Sequence, residues 1–374
     1  MRVYFFKSTT FCYNSKEFFV GSFMRELSSL GVKCSLIEPM QSMSAEDDSV
    51  LIDFNSVLPR QEGFAPGRPF YNYILDHPLY HHRSLNISLP DYHVICIDNN
   101  HAKYVRENYP HIKSVSVLPL AGIPGTGFKH TVFYNRPYDL SFCATYTSPD
   151  MVMDSINSLN DPTYIREIKD YIDALLWNPG MTLEEIFRRK HGEAMNPSLM
   201  GIAMHAMMPV DMYVTATYRT RIISALVNAG INVDVFGYKW ELHPMYGAPN
   251  LRVHDDVPYP ESAGIAADSR FYLNIQPWFK DGIHDRVFTA ILNDSIALTD
   301  SSVMIEKDFT DGENIVLYDL ANPEGIADVY LAKATDTVLA MNIAHNGLML
   351  ASKAHTYACR AKALIELLEA SCAR

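Results

Sequence analysis

The sequence predicts an α/β protein built from two doubly wound domains, and three observations lead there. Short β-type runs alternate with helical stretches, as parallel sheets with crossover helices require. The alternation occurs twice, interrupted by a proline- and glycine-rich segment from Pro119 to Gly127. The chain has 374 residues with 48% apolar content, enough to bury two cores of ordinary size.

In the first half, Arg2 to Phe6 reads as a buried strand, Glu17 to Leu30 as a helix closed by Gly31, and Val32 to Ile37 as the next strand. Further strands are expected at Ser49 to Phe54, Tyr71 to Leu75, Val94 to Ile97 and Ser114 to Leu118, with a helix from Asn100 to Asn108. The second half opens on a strand from Leu140 to Thr145. A helical stretch without β-type runs follows, from Asp150 to Met208, and reads as an insertion. The alternation then resumes with a helix ending at Ala229-Gly230, strands Asn232 to Phe236 and Leu251 to His254, and a helix Pro260 to Ala267. Strand Phe271 to Ile275, a helix from His284 to Leu292 and strand Ser295 to Thr299 complete it. The tail from Ala327 reads as helical, broken near Asn346-Gly347. The expected domains are therefore 1–135, then 136–345 with its insertion at 150–208, then a terminal helical segment 346–374.

Composition excludes several function classes. A formal charge of −12 and a pI near 5.6 argue against a nucleic-acid or anionic-membrane surface, which needs a concentrated basic face. No segment has the length and apolarity of a membrane span, and the amino terminus lacks the pattern of a secretory leader, so a cytoplasmic protein is expected. The six cysteines, Cys12, Cys34, Cys96, Cys143, Cys359 and Cys372, are scattered singly, so no disulfide framework is expected. No Cys-x-x-Cys or His-Glu-x-x-His pattern supports zinc, and His77, His81 and His82 offer too few ligands on one face. The insertion's Met195, Met200, Met204, Met207 and Met208 have near-helical spacing, which reads as helix packing; an acceptor groove or a homodimer contact are the alternatives.

The chemistry concentrates between Leu273 and Asp300. A buried strand runs into a loop containing Lys280, Asp281 and Gly282, then into a helix with the apolar stripe Val287, Phe288, Ile291 and Leu292. Ligands of open α/β sheets bind beyond the carboxyl ends of the strands, where the amides of a helix start favour a diphosphate. Lys280, His284 and Arg286 can add charge-assisted donors there.

From Asp211 to Leu368 the chain resembles the group 1 glycosyltransferases, most closely a subgroup related to the spore maturation protein CgeB. The resemblance is carried by Tyr218-Arg-Thr-Arg221, Val235-Phe-Gly-Tyr238, His254-Asp-Asp-Val-Pro-Tyr259, the block Pro277 to Arg286, Leu298-Thr-Asp-Ser-Ser302, Asp311-Gly-Glu-Asn-Ile-Val316 and His355-Thr-Tyr-Ala-Cys-Arg360. Tyr73-Ile-Leu-Asp-His-Pro-Leu-Tyr80 extends it more loosely into the first half. The resemblance implies the GT-B fold, two Rossmann-like domains facing a cleft, with the last helix crossing back to the first domain.

It further implies that Gly237 and Tyr238 line a nucleotide pocket and that Val257 to Tyr259 lie beside the base. Asp281 and Thr289 stand where retaining relatives carry two glutamates, so the retaining mechanism does not transfer directly. The implied activity is transfer of a sugar from a nucleoside-diphosphate sugar, UDP favoured, to an acceptor, with no metal or other cofactor. A base would come from the first domain, where Asp76-His77 at a strand end is the candidate, while a turn cap at Asp76 before Pro78 and a packed His77 ring describe the pair better. A nucleotide-sugar epimerase and a catalytically silent nucleotide-sugar-binding or coat-assembly protein are the alternatives.

Overall fold

A computed structural model describes residues 1–7, 15–38, 48–125, 131–192 and 196–372, and the chain packs as two units. The first comprises Met1–Leu120, Ala194–Ala206 and Thr356–Arg374; the second comprises Ala121–Glu193 and Met207–His355.

In the first unit, β1 (Arg2–Phe6), α1 (Ser15–Ser29), β2 (Lys33–Ile37), β3 (Ser49–Phe54), β4 (Phe70–Ile74), α2 (His82–Leu85), β5 (Tyr92–Cys96), α3 (Asn99–Asn108) and β6 (Ser114–Val117) follow in order. All strands pair in parallel, in the order β2-β1-β3-β4-β5-β6. Every residue of β3, β4 and β5 is buried, the polar Asp53, Asn72 and His93 included, as in strands covered on both faces. The Asp98 carboxylate accepts the Asn100 and His101 amides and so starts α3.

The second unit begins its sheet with β7 (Tyr138–Cys143), followed by α4 (Pro149–Asn157), α5 (Pro162–Trp177) and α6 (Leu183–His191). Next comes α7 (Pro197–Ala206), which packs in the first unit, and then α8 (Met208–Asn228) returns to the second. β8 (Val233–Phe236), β9 (Leu251–His254), α9 (Ser262–Ala267), β10 (Ser269–Leu273), α10 (Asp285–Leu292), β11 (Ile296–Asp300), α11 (Val303–Asp308) and β12 (Val316–Tyr318) complete the α/β part. The parallel order is β12-β11-β10-β7-β8-β9, so successive strands are added on one side of β7 and then on the other. The switch point therefore lies between β7 and β10, and a ligand crevice is expected beyond their carboxyl ends.

The remaining helices are α12 (Ile326–Ala334), α13 (Thr337–Ala354) and α14 (Tyr357–Cys372), and α14 lies with the first unit. Its Tyr357 ring meets Phe18 and Phe23 of α1 edge-on, at 5.8 and 5.4 Å between centroids.

Two features differ from the sequence expectation. The tail does not break at Asn346-Gly347: α13 runs through both residues, and the chain breaks between α13 and α14 instead. Gly347 serves close packing, since a Cβ there would lie 2.6 Å from the Asn314 carbonyl oxygen, and Asn346 Nδ2 donates to the Glu313 carbonyl at 3.1 Å. β12 and α11 were not anticipated, because three- and six-residue elements carry too few periods to register as a pattern. Among the expected packing residues Met195 lies outside the described part, as does Cys12. Cys34, Cys96, Cys143 and Cys359 are free thiols, and Met200, Met204 and Met207 are buried. No described helix is long and apolar enough to cross a membrane.

Candidate nucleotide-binding site

Helix α10 is amphipathic, and Val287, Phe288, Ile291 and Leu292 are all buried in the core of the second unit. Burying such side chains stabilises the fold by roughly 1.5 to 3 kcal/mol each, which pins the helix against β10 and β11. Its start is capped internally. His284 Nδ1 accepts the Arg286 amide at 3.1 Å, and the His284 amide donates to Gln276 Oε1 at 3.0 Å. The expectation of free helix-start amides is corrected here: these two N–H groups are already satisfied within the protein. What the helix presents beyond its dipole is the Arg286 guanidinium.

Arg286 Nη1 donates to Asn274 Oδ1 at 2.8 Å, and its guanidinium lies 5.3 Å from the centre of the Phe142 ring. Phe142 belongs to β7 and Asn274 directly follows β10, so this arginine spans the switch point. A second guanidinium shares the ring. Arg219 of α8 stands 6.0 Å from the Phe142 centroid and donates to the Thr145 carbonyl at 2.8 Å. Asn274 Oδ1 and the Thr145 carbonyl are both neutral acceptors.

Behind the arginines lies a buried polar network. Asn274 Nδ2 donates to Gln276 Oε1 at 3.1 Å and to Thr299 Oγ1 at 3.0 Å. The Gln276 amide donates to Asp300 Oδ1 at 2.8 Å, and the Tyr318 hydroxyl donates to the Asn274 carbonyl at 2.8 Å and to Asp300 at 3.3 Å. Asp300 is 2% exposed. Burial pushes its carboxyl up to about 6, against the opposing pull of the Gln276 amide and the Lys280 charge.

The other sequence-derived residues divide into groups. Tyr259 donates its hydroxyl to Asp285 at the first position of α10, and Val257 packs on the same core. Lys280 donates to the Pro179 carbonyl, and Gly282 accepts the Ser302 hydroxyl at 2.6 Å. Asp281 is half-buried in the same loop. Gly237, just after β8, has a φ of +140°, and a Cβ there would lie 2.4 Å from the Ala144 carbonyl oxygen, so a side chain is excluded twice over. Tyr238 beside it is 55% exposed. Thr289 is 2% exposed, and its Oγ1 accepts the Ile123 amide at 3.1 Å.

Asp76 and His77 belong to the first unit. The Asp76 carboxylate is 60% exposed and accepts Asn55 Nδ2 at 2.7 Å. His77 is buried, its Nδ1 accepts the Leu79 amide at 3.1 Å, and its ring meets His101 edge-on.

Sequence reasoning did not single out Phe142, Arg219, Asn274, Gln276 or Asp300 for this site. The usable signal was Asn274-Ile-Gln276, two polar residues closing an apolar strand, both of which prove to be buried.

Comparison with known proteins agrees with this architecture. Residues 219–366 match the family model described as glycosyl transferase-like. No curated protein matches in sequence. Among solved structures, sucrose-phosphate synthase from Thermosynechococcus elongatus aligns over 100% of this chain and 99% of its own, with TM-score 0.57 and 8% identity. The T4 phage BGT in complex with UDP and Mn2+ aligns over 98% of this chain and 99% of its own, with TM-score 0.57 and 12% identity. An alpha-glucosyltransferase in complex with UDP and DNA covers 99% of both chains, with TM-score 0.53 and 11% identity. At such identities the likeness establishes the fold alone. The two parallel six-stranded sheets are those of the GT-B glycosyltransferases, and the glycosyl transferase-like segment is the one that carries Arg219, Asn274 and Arg286.

Proposed function

We propose that the chain is a glycosyltransferase of the CgeB-like subgroup that moves a sugar from a nucleoside-diphosphate sugar, with UDP favoured, to an acceptor hydroxyl without a metal ion. The observation that carries this reading is the pair of guanidiniums, Arg219 and Arg286, mounted on the one ring of Phe142 at the switch point of the second sheet. In a chain of net charge −12 this is a local concentration of positive charge, suited to a diphosphate.

During transfer the bond from the anomeric carbon to the phosphate oxygen breaks as the acceptor oxygen bonds to that carbon. Negative charge collects on the departing nucleoside diphosphate. Arg219, Arg286 and the positive end of α10 are the groups assigned to stabilise it, in the role a metal ion takes elsewhere. Of the two residues singled out for proton transfer, Asp76 keeps an exposed carboxylate and is retained as the base, whereas His77 is occupied in holding its turn.

A panel of nucleoside-diphosphate sugars, incubated with the protein with and without EDTA and followed by mass spectrometry, tests this. Release or transfer from one donor, undiminished by EDTA, is expected. Loss of turnover in EDTA would overturn metal independence, and failure of every donor to bind would overturn the reading as a whole. A catalytically silent binding protein is the second reading, favoured by Thr289, whose hydroxyl is engaged by the Ile123 amide. Binding of a donor without release or transfer to any acceptor would favour it.

A further inference from the structure

We infer that the open edge of the first sheet, beside β6, is a docking groove for an extended peptide that alternates acidic and apolar residues. The groove encloses about 550 Å³, and every residue that lines it belongs to the first unit. Ser114, Val115 and Ser116 line it in succession. Consecutive side chains of a strand point to opposite faces of the sheet, so a groove that touches all three runs along the edge and not over one face. β6 ends the order β2-β1-β3-β4-β5-β6, and among the described residues only β5 pairs with it.

Helices on the two faces of the sheet supply the walls. The crossover from β1 to β2 and the crossover from β5 to β6 move in opposite directions along the sheet, so right-handed connections place α1 on one face and α3 on the other. α14 packs on α1 through Tyr357, which puts it across the sheet from α3. Arg106, Pro110 and Ile112 come from α3 and the turn after it, and Leu367 and Ala370 come from the last turns of α14. The groove is therefore a slot with a strand edge for its floor, a wall bearing a guanidinium on one side and an apolar wall on the other.

The charge of this slot selects its occupant. Both charged residues that line it, Arg106 and Lys113, are basic, in a chain of net charge −12. Lys113 is held by Asp91. Arg106 Nη2 donates to the Val115 carbonyl at 2.8 Å, so a main-chain oxygen of the edge strand can be reached from the groove. A strand added to an edge bonds to its main chain and sends alternate side chains to opposite sides. A carboxylate on the α3 side then meets Arg106, and the next side chain meets Leu367 and Ala370. β6 has four residues, a run of about 13 Å, so a short segment of the partner is enough. A second copy of this chain, paired about a two-fold axis through β6, would turn Arg106 and Lys113 of each copy toward those of the other, and like charges disfavour that pairing.

Fluorescence anisotropy on the full chain tests this, with a labelled, end-capped peptide of Glu-Val repeats as the probe and thermal unfolding as the check that each variant is folded. Saturable binding to the parent is expected, with Arg106→Ala weakening it by about tenfold or more. Arg106→Glu is expected to abolish it and to admit a peptide of Lys-Val repeats instead. A peptide with the same residues in two blocks, and one interrupted by proline, should each bind at least about tenfold more weakly, because the first loses the alternation and the second a main-chain donor. Bound peptide should slow amide exchange within Ser114–Val117. Equal binding of the blocked or proline-containing peptide would reveal a site for charge alone and overturn the proposal. Binding unchanged in Arg106→Glu, or no binding at about 1 mM peptide, would overturn it as well. Self-association of the parent that the peptide displaces would assign the groove to a second copy of the chain instead.

Discussion

Replacing Arg286 with alanine separates a nucleotide-binding role from a structural one. The guanidinium makes one hydrogen bond, 2.8 Å to Asn274 Oδ1, and rests on Phe142. Hydrogen bonds to charged groups contribute about 1.5 to 3 kcal/mol. A diphosphate that loses them should bind roughly 10- to 150-fold more weakly. Stability should fall too, because Asn274 is 0% exposed and its Oδ1 loses a donor, at a cost of about 1 to 3 kcal/mol. That cost falls on the free and the liganded protein alike, so it cancels from the dissociation constant. Arg286→Lys keeps the charge but loses the planar fork, and should lie between parent and alanine variant. Calorimetric titration with UDP at fixed ionic strength, beside urea unfolding of each variant, reads both quantities. An Arg286→Ala protein that is less stable yet binds UDP within twofold of the parent would refute the assignment and leave the arginine a structural residue.

Three other outcomes follow from the geometry. Gly122→Ala places a methyl group 2.3 Å from backbone atoms of α10, and a fall in stability of about 1 to 3 kcal/mol or more is expected by thermal unfolding; an unchanged melting temperature would show that the backbone at Gly122 yields freely. Asp300 titrates near 6 in the folded protein against an ordinary 3.8, so the folded state holds the proton more tightly and stability declines as pH rises from 3.8 to about 6, then levels off. Asp300→Asn should remove that decline, on the order of 3 kcal/mol, and an identical pH profile for the two proteins in urea unfolding would contradict the burial argument. Lys16 and Asp53 form an ion pair with side chains 6% and 5% exposed. Lys16→Met should cost about 3 to 5 kcal/mol by stranding the carboxylate, with much of the loss recovered in Lys16→Met/Asp53→Asn; a double variant no more stable than the single one would count against this.

Much of the fold was legible because its signal is local. The run Arg2–Phe6 is apolar enough to be a strand wherever it folds, and His284 to Leu292 shows the helical period of a half-buried helix. The Asn346-Gly347 pair misled because the sequence does not reveal that the Asn314 carbonyl occupies the space beside the glycine. Thr289 is a similar case. Its position in a motif pointed to the nucleotide, while its hydroxyl partner, Ile123, lies 166 residues away in the chain.

By itself, then, the sequence determined the alternation of strands and helices in two sets, the apolar face of α10, and the placing of Lys280 to Arg286 after a buried strand. The tertiary structure alone decided that Arg219 and Arg286 share the Phe142 ring, that the His284 and Arg286 amides are spent on Gln276 and His284, and that Asp300 is an acid of raised pKa. The physical reason is one of range. Periodicity and capping are set by residues within a turn or two of each other, whereas burial, charge pairing and close approach depend on which distant strands the sheet brings side by side.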